Sequence, residues 1–179
     1  MASYRTTGRA SVAGQPVPGA RVALGDVSFA ALELGWRIAP DWSVSFAGGL
    51  PPTVALHGRG DFAPQGVLRK VTYGSVMLGA QYHPLSFGRF EPFVGGGLSY
   101  TFFLRTRGGS MSELDIADNF GPFLQAGGQF RITDDLSAFV DARKTWLSFD
   151  AKGMAGPVPV RVTVDPDPVS VMLGLSYRF

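Results

Sequence analysis

The sequence has no cysteine and no long apolar run, and each absence excludes a class of protein. Without cysteine, the 179 residues cannot form a disulfide framework or a thiolate metal or redox site. No stretch approaches the roughly 20 apolar residues that a membrane-spanning helix requires. The two histidines, His57 and His83, are too far apart in sequence to suggest a metal cluster. We therefore expect neither a metal nor a cofactor.

Charge is also scarce. Charged residues make up 17% of the chain and the formal net charge is +2, which is too small to indicate a nucleic-acid partner. The mean hydropathy is nevertheless positive, at +0.13. A chain that is hydrophobic overall without a hydrophobic run is typical of alternating strands, in which only one face is apolar.

The C-terminal segment shows this alternation most clearly. From Val169 to Phe179, every second residue is apolar or aromatic, and the residues between them are small or polar except for Met172. A period of two predicts a strand with one oily face. Six further segments alternate in the same way: Leu32–Ile38, Trp42–Gly48, Thr72–His83, Phe93–Leu104, Leu124–Arg131 and Leu136–Trp146.

The connections between these segments differ in length. Three of them are short: Ala39–Asp41, Pro84–Phe90 and Thr133–Asp135. Three are longer and rich in Gly and Pro: Pro51–Arg69, Thr106–Asp118 and Asp150–Pro159. Short turns at one end and long loops at the other are typical of transmembrane barrels. We therefore predict an all-β fold, an eight-stranded antiparallel transmembrane β-barrel, as one domain over residues 1–179. Its first strand, within Met1–Ala13, is expected to be short or missing, because its outward face is small and polar.

The outward and inward faces predict different environments. Rings near the short turns should form an aromatic girdle at the periplasmic interface: Trp36, Trp42, Tyr82, Phe130, Tyr177 and Phe179. Lys144 shares the outward face and is expected to snorkel to the outer interface. Inward charged and amide residues lower in the barrel should form a periplasmic plug: Arg37, Gln81, His83, Glu91, Gln129, Arg131, Asp141, Arg143 and Arg178. Stabilisation of the barrel alone is the competing interpretation of these residues.

Nearer the outside, the inward side chains become apolar. They are Tyr73, Met77, Phe103, Phe123, Leu147, Phe149 and Met172. Eight strands enclose only enough space for side chains or one small ligand, so these residues either fill the barrel or line a pocket for a small hydrophobic molecule. We expect no catalytic residues: Asp115 and Asp118 are interpreted as loop or cap residues, and no Ser/His/Asp group is visible.

Several stretches resemble the OmpW/AlkL family of outer-membrane proteins. They are Pro51-Pro52-Thr53, GAQYHP from Gly79, EPFVGGGLSYTFF from Glu91, DNFGPFLQAGGQF from Asp118, GPVPV from Gly156, and VDPDPVSVMLGLSYRF from Val164. The resemblance implies an eight-stranded barrel in the bacterial outer membrane that takes up small hydrophobic molecules from outside. It also implies a plugged periplasmic end and sideways release through the wall.

Three expectations accompany this resemblance. Pro122 and Pro168, and less clearly Pro166, lack ladder donors and are candidates for the lateral exit. The terminal Phe179 resembles the signal by which the barrel-assembly machinery inserts such proteins in the lipid bilayer. The N-terminus has no apolar core of a signal peptide, so the chain is expected to lack the segment that directs secretion. A structural or adhesive barrel without transport activity is the alternative function.

Overall fold

The computed structural model describes residues 2–4, 7–12, 15–16, 21–24, 27–59, 67–107, 112–155, 158–165 and 167–179, with side chains in 27–55, 70–104, 117–149, 165 and 167–179. Within these ranges every regular element is a β-strand. None of the described residues belongs to a helix long and apolar enough to cross a membrane.

The strands are numbered in chain order. They are β1 (Ala2–Tyr4), β2 (Thr7–Val12), β3 (Gln15–Pro16), β4 (Arg21–Leu24), β5 (Ala31–Ala39), β6 (Trp42–Gly49), β7 (Thr53–Arg59), β8 (Val67–Tyr82), β9 (Phe90–Arg107), β10 (Ser112–Ile116), β11 (Asn119–Arg131), β12 (Leu136–Thr145), β13 (Phe149–Ala155), β14 (Val158–Asp165) and β15 (Pro168–Tyr177). The seven alternating segments of the sequence all lie on strands.

Neighbouring strands are antiparallel throughout. The main sheet has the order β1-β15-β12-β11-β9-β8-β6-β5, and β7 joins it by pairing with β8 and β4. A second sheet, β10-β13-β14-β2-β3, is built from the far ends of the same hairpins. Pairs that are consecutive or nearly so along the chain, such as β5 with β6, β8 with β9 and β11 with β12, are joined by short turns, as antiparallel pairing allows. This arrangement confirms the predicted all-β antiparallel architecture.

The short turns are confirmed, but the long loops are not loops throughout. Only Pro40 and Asp41 separate β5 from β6. In contrast, the predicted loop Pro51–Arg69 contains β7 and the start of β8, Thr106–Asp118 contains β10, and Asp150–Pro159 contains most of β13. The strands therefore continue beyond the alternating region. Apolar and polar residues alternate where one face of a strand meets lipid. A part of a strand that meets no lipid therefore shows no such alternation.

The first strand is partial, as predicted, but it is longer than β1 alone. β1 pairs with β15 over Ala2–Tyr4 and β2 pairs with β14 over Thr7–Val12, in one continuous register, whereas Met172–Tyr177 of β15 have no strand on that side among the described residues. At the other end of the sheet, β6 is the one strand that pairs with β5 among the described residues. As a result, Ala31–Ile38 are exposed on both faces of β5.

The polarity of the molecule is reversed relative to a water-soluble protein. Its outer face is apolar, and Leu173, Leu175 and Leu32 are 78%, 69% and 69% exposed. The buried hydrophobic side chains are only Ala47, Val54, Val71, Phe93 and Phe123 among those described. The buried polar set is larger: Ser43, Ser45, Gln81, His83, Ser99, Thr101, Gln125, Asp141, Arg143 and Thr145. Such an arrangement suits strands that face lipid outside and a polar lumen inside.

The predicted girdle rings all lie on the outer surface. Trp36, Trp42, Tyr82, Phe130, Tyr177 and Phe179 are exposed, and the rings of Trp42 and Tyr82 pack 5.0 Å apart on neighbouring strands. Their positions beside the short turns match the interface where amphipathic rings settle. The orientation derived from alternation is therefore correct.

Candidate functional site in the lumen

The lowest part of the lumen holds a cluster around Glu91. Arg37, on β5, donates to the Glu91 carboxylate of β9 and also to the carbonyl of Pro40, at 3.1 Å. His83, just beyond β8, places Nδ1 2.9 Å from Glu91 Oε1, although the ring N–H is not aligned for a hydrogen bond. Its Nε2 lies 2.9 Å from Ser43 Oγ. The cluster joins side chains from three strands and one turn.

Burial and the neighbouring guanidinium both affect His83. Burial lowers the pKa of its imidazole below the ordinary value of 6.5, and the positive charge of Arg37 lowers it further. Glu91 and Asp41 act in the opposite direction but do not overcome these effects. Near neutral pH the ring is therefore uncharged, and Arg37 supplies the positive charge that Glu91 needs.

Above this cluster, Arg143 lies buried on the inner face of the sheet. The side chain is 2% exposed, and its Nη2 lies 2.7 Å from Asp141 Oδ2 and 3.0 Å from Glu33 Oε2. The guanidinium stands 5.0 Å over the ring of Phe123, and Nη1 lies 3.0 Å from the sulfur of Met77. We call Glu33, Met77, Phe123, Asp141 and Arg143 the septum. A charge this deeply buried must be paired, and the septum supplies two carboxylates and a ring face.

Glycine makes room for the septum. Phe123 is 2% exposed and pairs across the strands with Gly97, which pairs in turn with Gly79. A β-carbon on Gly79 would lie 2.8 Å from Phe123 Cζ, closer than atoms can pack. The absence of a side chain at Gly79 therefore leaves room for the ring that packs beneath Arg143.

Two residues of this region were missed by sequence reasoning. Glu33 accepts from both Arg143 and Gln81, the latter at 2.8 Å. Gln125, 4% exposed, is the cross-strand partner of Arg143. Glu33 and Gln125 lie on the same inward face as the predicted plug residues, so the alternation indicated that both side chains point inward. Which residues they contact across the lumen, however, depends on the barrel geometry rather than on any one strand.

The upper lumen is aromatic. The rings of Tyr73 and Phe103 have centroids 6.4 Å apart, and Phe103 meets Phe149 edge-on at 5.0 Å. Leu147 lies next to Gly121, where a β-carbon would be 2.7 Å from its Cδ2. The structure thus brings together three of the predicted lining rings. Met172, by contrast, is the cross-strand partner of Asp141 and lies at the level of the septum.

The remaining plug residues lie at the periplasmic mouth. Gln129, Arg131 and Arg178 line one cleft together with Glu91. Asp141 and Arg143 lie higher along their strands, so the plug residues form two layers. The lower layer is open to solvent, and the septum is the buried layer.

The proline candidates lie high on the wall. Pro122, in β11, is exposed, and its carbonyl accepts the amide of Trp146 at 3.0 Å. Pro168 begins β15 directly after Asp167, whose φ of 39° is positive. Asp167 accepts from Lys144 Nζ at 2.7 Å and from the Leu147 amide at 3.3 Å. Pro166 lies outside the described residues.

The residues weighed as catalytic candidates have other contacts. Asp118 accepts the hydroxyl of Tyr100 at 2.8 Å and the amide of Phe103 at 3.1 Å, as expected of a residue that ends a loop. The side chains of Asp115 and His57 lie outside the described set. Among the described residues, no three His, Asp or Glu side chains come together as a metal site would require.

An antiparallel sheet with an apolar outer face and a polar, charged inner face defines the chain as a transmembrane β-barrel of the outer-membrane type. The sequence matches the OmpW family over residues 21–179, and the chain belongs to this family. It is accordingly an outer-membrane protein, and the resemblance seen in its sequence is confirmed.

Individual relatives agree with this assignment. The outer membrane protein AlkL of Ectopseudomonas oleovorans is 30% identical over 172 residues, which cover 96% of this chain and 75% of AlkL. The dibenzothiophene metabolism operon protein PahQ of Pseudomonas aeruginosa is 30% identical over 166 residues, 92% of this chain and 78% of PahQ. The crystal structure of the outer membrane protein OprG from Pseudomonas aeruginosa superposes with a TM-score of 0.92 at 19% identity, covering 99% of this chain and 90% of OprG. AlkL and OprG are outer-membrane barrel proteins rather than enzymes.

Proposed function

We propose that the protein is a channel for the passive uptake of small hydrophobic molecules across the outer membrane. The observation that carries the proposal is the order of the two layers inside one lumen. The ring cluster of Tyr73, Phe103 and Phe149 lies on the strands above the septum, whose buried side chains carry charge. A guest entering from outside would meet apolar rings first and then a barrier.

The chemistry of each layer suits this role. An apolar guest gains about 2.5 kcal/mol for roughly each 100 Å² of surface removed from water among the rings. Water and ions gain nothing there, and we expect the paired guanidinium of Arg143, stacked on the ring of Phe123, to hinder their passage below. The name of PahQ refers to dibenzothiophene, an apolar aromatic compound, which supports a substrate of the same class.

Release is proposed to be lateral because the septum blocks the straight path. Near Pro122 and Pro168 the ladder is weakened: the β12–β15 pairing ends at Lys144 and Val169, and the β13–β14 pairing begins only at Phe149 and Val164. The backbone between them is held by the Asp167 side chain and by single bonds such as that from Trp146 to Pro122. A wall with few ladder bonds opens at lower cost than a continuous sheet.

The experiment is uptake of a fluorescent hydrophobic probe by intact cells that carry the barrel. Phe103→Asp and Leu147→Asp each place a carboxylate among the rings, where it repels apolar guests, and each should abolish uptake. Gln129→Glu is the matched control, because it adds a carboxylate below the septum. Uptake that survives both upper substitutions in a folded barrel would remove the lumen from the mechanism and favour the structural or adhesive alternative.

A further inference from the structure

The cleft at the periplasmic mouth has a composition that the channel function does not explain. Three arginines line it, Arg89, Arg131 and Arg178, together with the polar side chains of Gln129 and Ser137. In the proposed function, the buried septum above is the barrier in the lumen. The exposed arginines below it are not needed for that barrier, so their role must come from their own surroundings.

The strand register gathers these side chains on one face. Arg131 lies directly opposite Ser137, which lies opposite Ser176, and Arg178 follows two residues later with the same inward phase. The amide of Arg131 donates to the carbonyl of Arg89 at 2.7 Å, which fixes the turn that carries Arg89 beside β11. The backbone pairing therefore brings the three arginines to the same cleft.

Their charges are only partly balanced within the described part of the chain, because Arg178 interacts with Glu91 at longer range than an ion pair. Glu91 also lines the cleft, but its carboxylate is held by Arg37 and lies against His83. None of the described ion pairs joins a carboxylate to Arg89, Arg131 or Arg178. Like charges at close range repel one another, and an anion bound between them would remove that repulsion.

We propose that this cleft binds a phosphate group. Guanidinium forks donate paired hydrogen bonds to phosphate oxygens, and the Ser137 hydroxyl and Gln129 amide add neutral donors on the same face. Phosphate offers more oxygens than a carboxylate to donors that converge from several strands. The group has two possible sources with this shared chemistry: the headgroup of a phospholipid in the periplasmic leaflet, or a soluble phosphate compound in the periplasm.

The test uses the full chain labelled with ¹⁵N-arginine and solubilised in a phosphate-free sugar detergent. Inorganic phosphate is titrated in while the Nε–Hε signals are recorded, with sodium chloride at equal ionic strength as the reference. The signals of Arg131 and Arg178 should shift saturably with phosphate only. Arg131→Gln and Arg178→Gln should each weaken binding at least tenfold. Lys70→Gln, which removes a positive charge from an exposed site far up β8, should leave it unchanged.

Shifts that follow chloride equally, or that persist in both arginine variants, would overturn the proposal and indicate screening only. Lipid nanodiscs then distinguish the two sources. If phosphatidylglycerol nanodiscs already produce the shifted signals and added phosphate changes nothing, the headgroup is the ligand. If the signals shift only after soluble phosphate is added, a free phosphate compound is the ligand. Both of these outcomes support the site, and unshifted signals in both conditions refute it.

Discussion

The guanidinium of Arg143 lies 5.0 Å over the ring of Phe123 and is buried at mid-height on the inner face of the sheet. Gly79 on a neighbouring strand leaves room for the ring, and Asp141 and Glu33 pair with the charge. We propose that this layer is the barrier between the outside and the periplasm.

Removal of the Arg143 side chain should open an ionic path. Arg143→Ala leaves Asp141 and Glu33 without their guanidinium, and breaking such a buried pair costs about 3–5 kcal/mol of unfolding free energy. Planar-bilayer recordings should show ion conductance that the unsubstituted barrel lacks. Lys144→Ala, which removes the same charge from the adjacent outward position, should not conduct. A folded Arg143→Ala barrel that stays non-conducting would limit the septum to a stabilising role.

The flat position of Phe123 should depend on Gly79. Gly79→Ala introduces a β-carbon 2.8 Å from the ring and should destabilise the barrel by about 1–3 kcal/mol in urea unfolding. Phe123→Leu should relieve much of that cost in the double variant. Gly35→Ala is the control, because a β-carbon there would lie 4.0 Å from the Val44 carbonyl oxygen, which leaves room for the methyl group. Equal costs at both glycines would contradict this packing.

The protonation of His83 should respond to its two charged neighbours in opposite directions. The pKa of the imidazole lies below 6.5 because of burial and Arg37, so Arg37→Gln should raise it and Glu91→Gln should lower it further. Since the unfolded ring is protonated first on acidification, this group's contribution to stability is lost as the pH falls from about 6.5 through the folded pKa. An NMR titration of the ring protons measures all three values. A shift in the same direction in both variants would be inconsistent with the geometry.

Asp167 should control how readily the upper wall opens. It accepts the Leu147 amide, and Asp167→Ala removes that acceptor and leaves a non-glycine residue at a positive φ. We expect a loss of about 1–2 kcal/mol in local stability and faster hydrogen exchange at Leu147. Asp167→Asn keeps an acceptor oxygen and should behave like the unsubstituted chain. If lateral release limits transport, probe uptake by the Asp167→Ala variant should also be faster.

Much of the fold could be predicted from alternation because one face of each strand meets lipid. This reasoning gave the orientation of the girdle rings and the inward phase of Arg143 and Phe123. It did not give the length of the strands above the membrane, where no lipid face exists. The extent of β7 and β13 is set by pairing between hairpins, which leaves no periodic mark in the sequence.

The site was less predictable than the fold because its contacts cross the lumen. Depth counted from the turns placed Met172 with the upper rings, whereas the stagger of the strands brings it beside Asp141. Glu33 was missed for the same reason, since its partner Arg143 is 110 residues away. Lys144 was expected to snorkel to the outer interface. Its ammonium group also donates a hydrogen bond to the carbonyl of Asp167, whose φ is positive.

The central claim is that a hydrophobic guest rests among the upper rings, on the septum. Labelling the methyl groups of methionine and leucine and titrating a small apolar aromatic compound into the barrel in nanodiscs tests this most directly. Met77, whose sulfur touches Arg143, should shift saturably, and Phe103→Asp should abolish the shift. A Met77 signal that stays unmoved, while outward methyl groups such as Leu98 respond, would place the guest in the lipid and contradict the account.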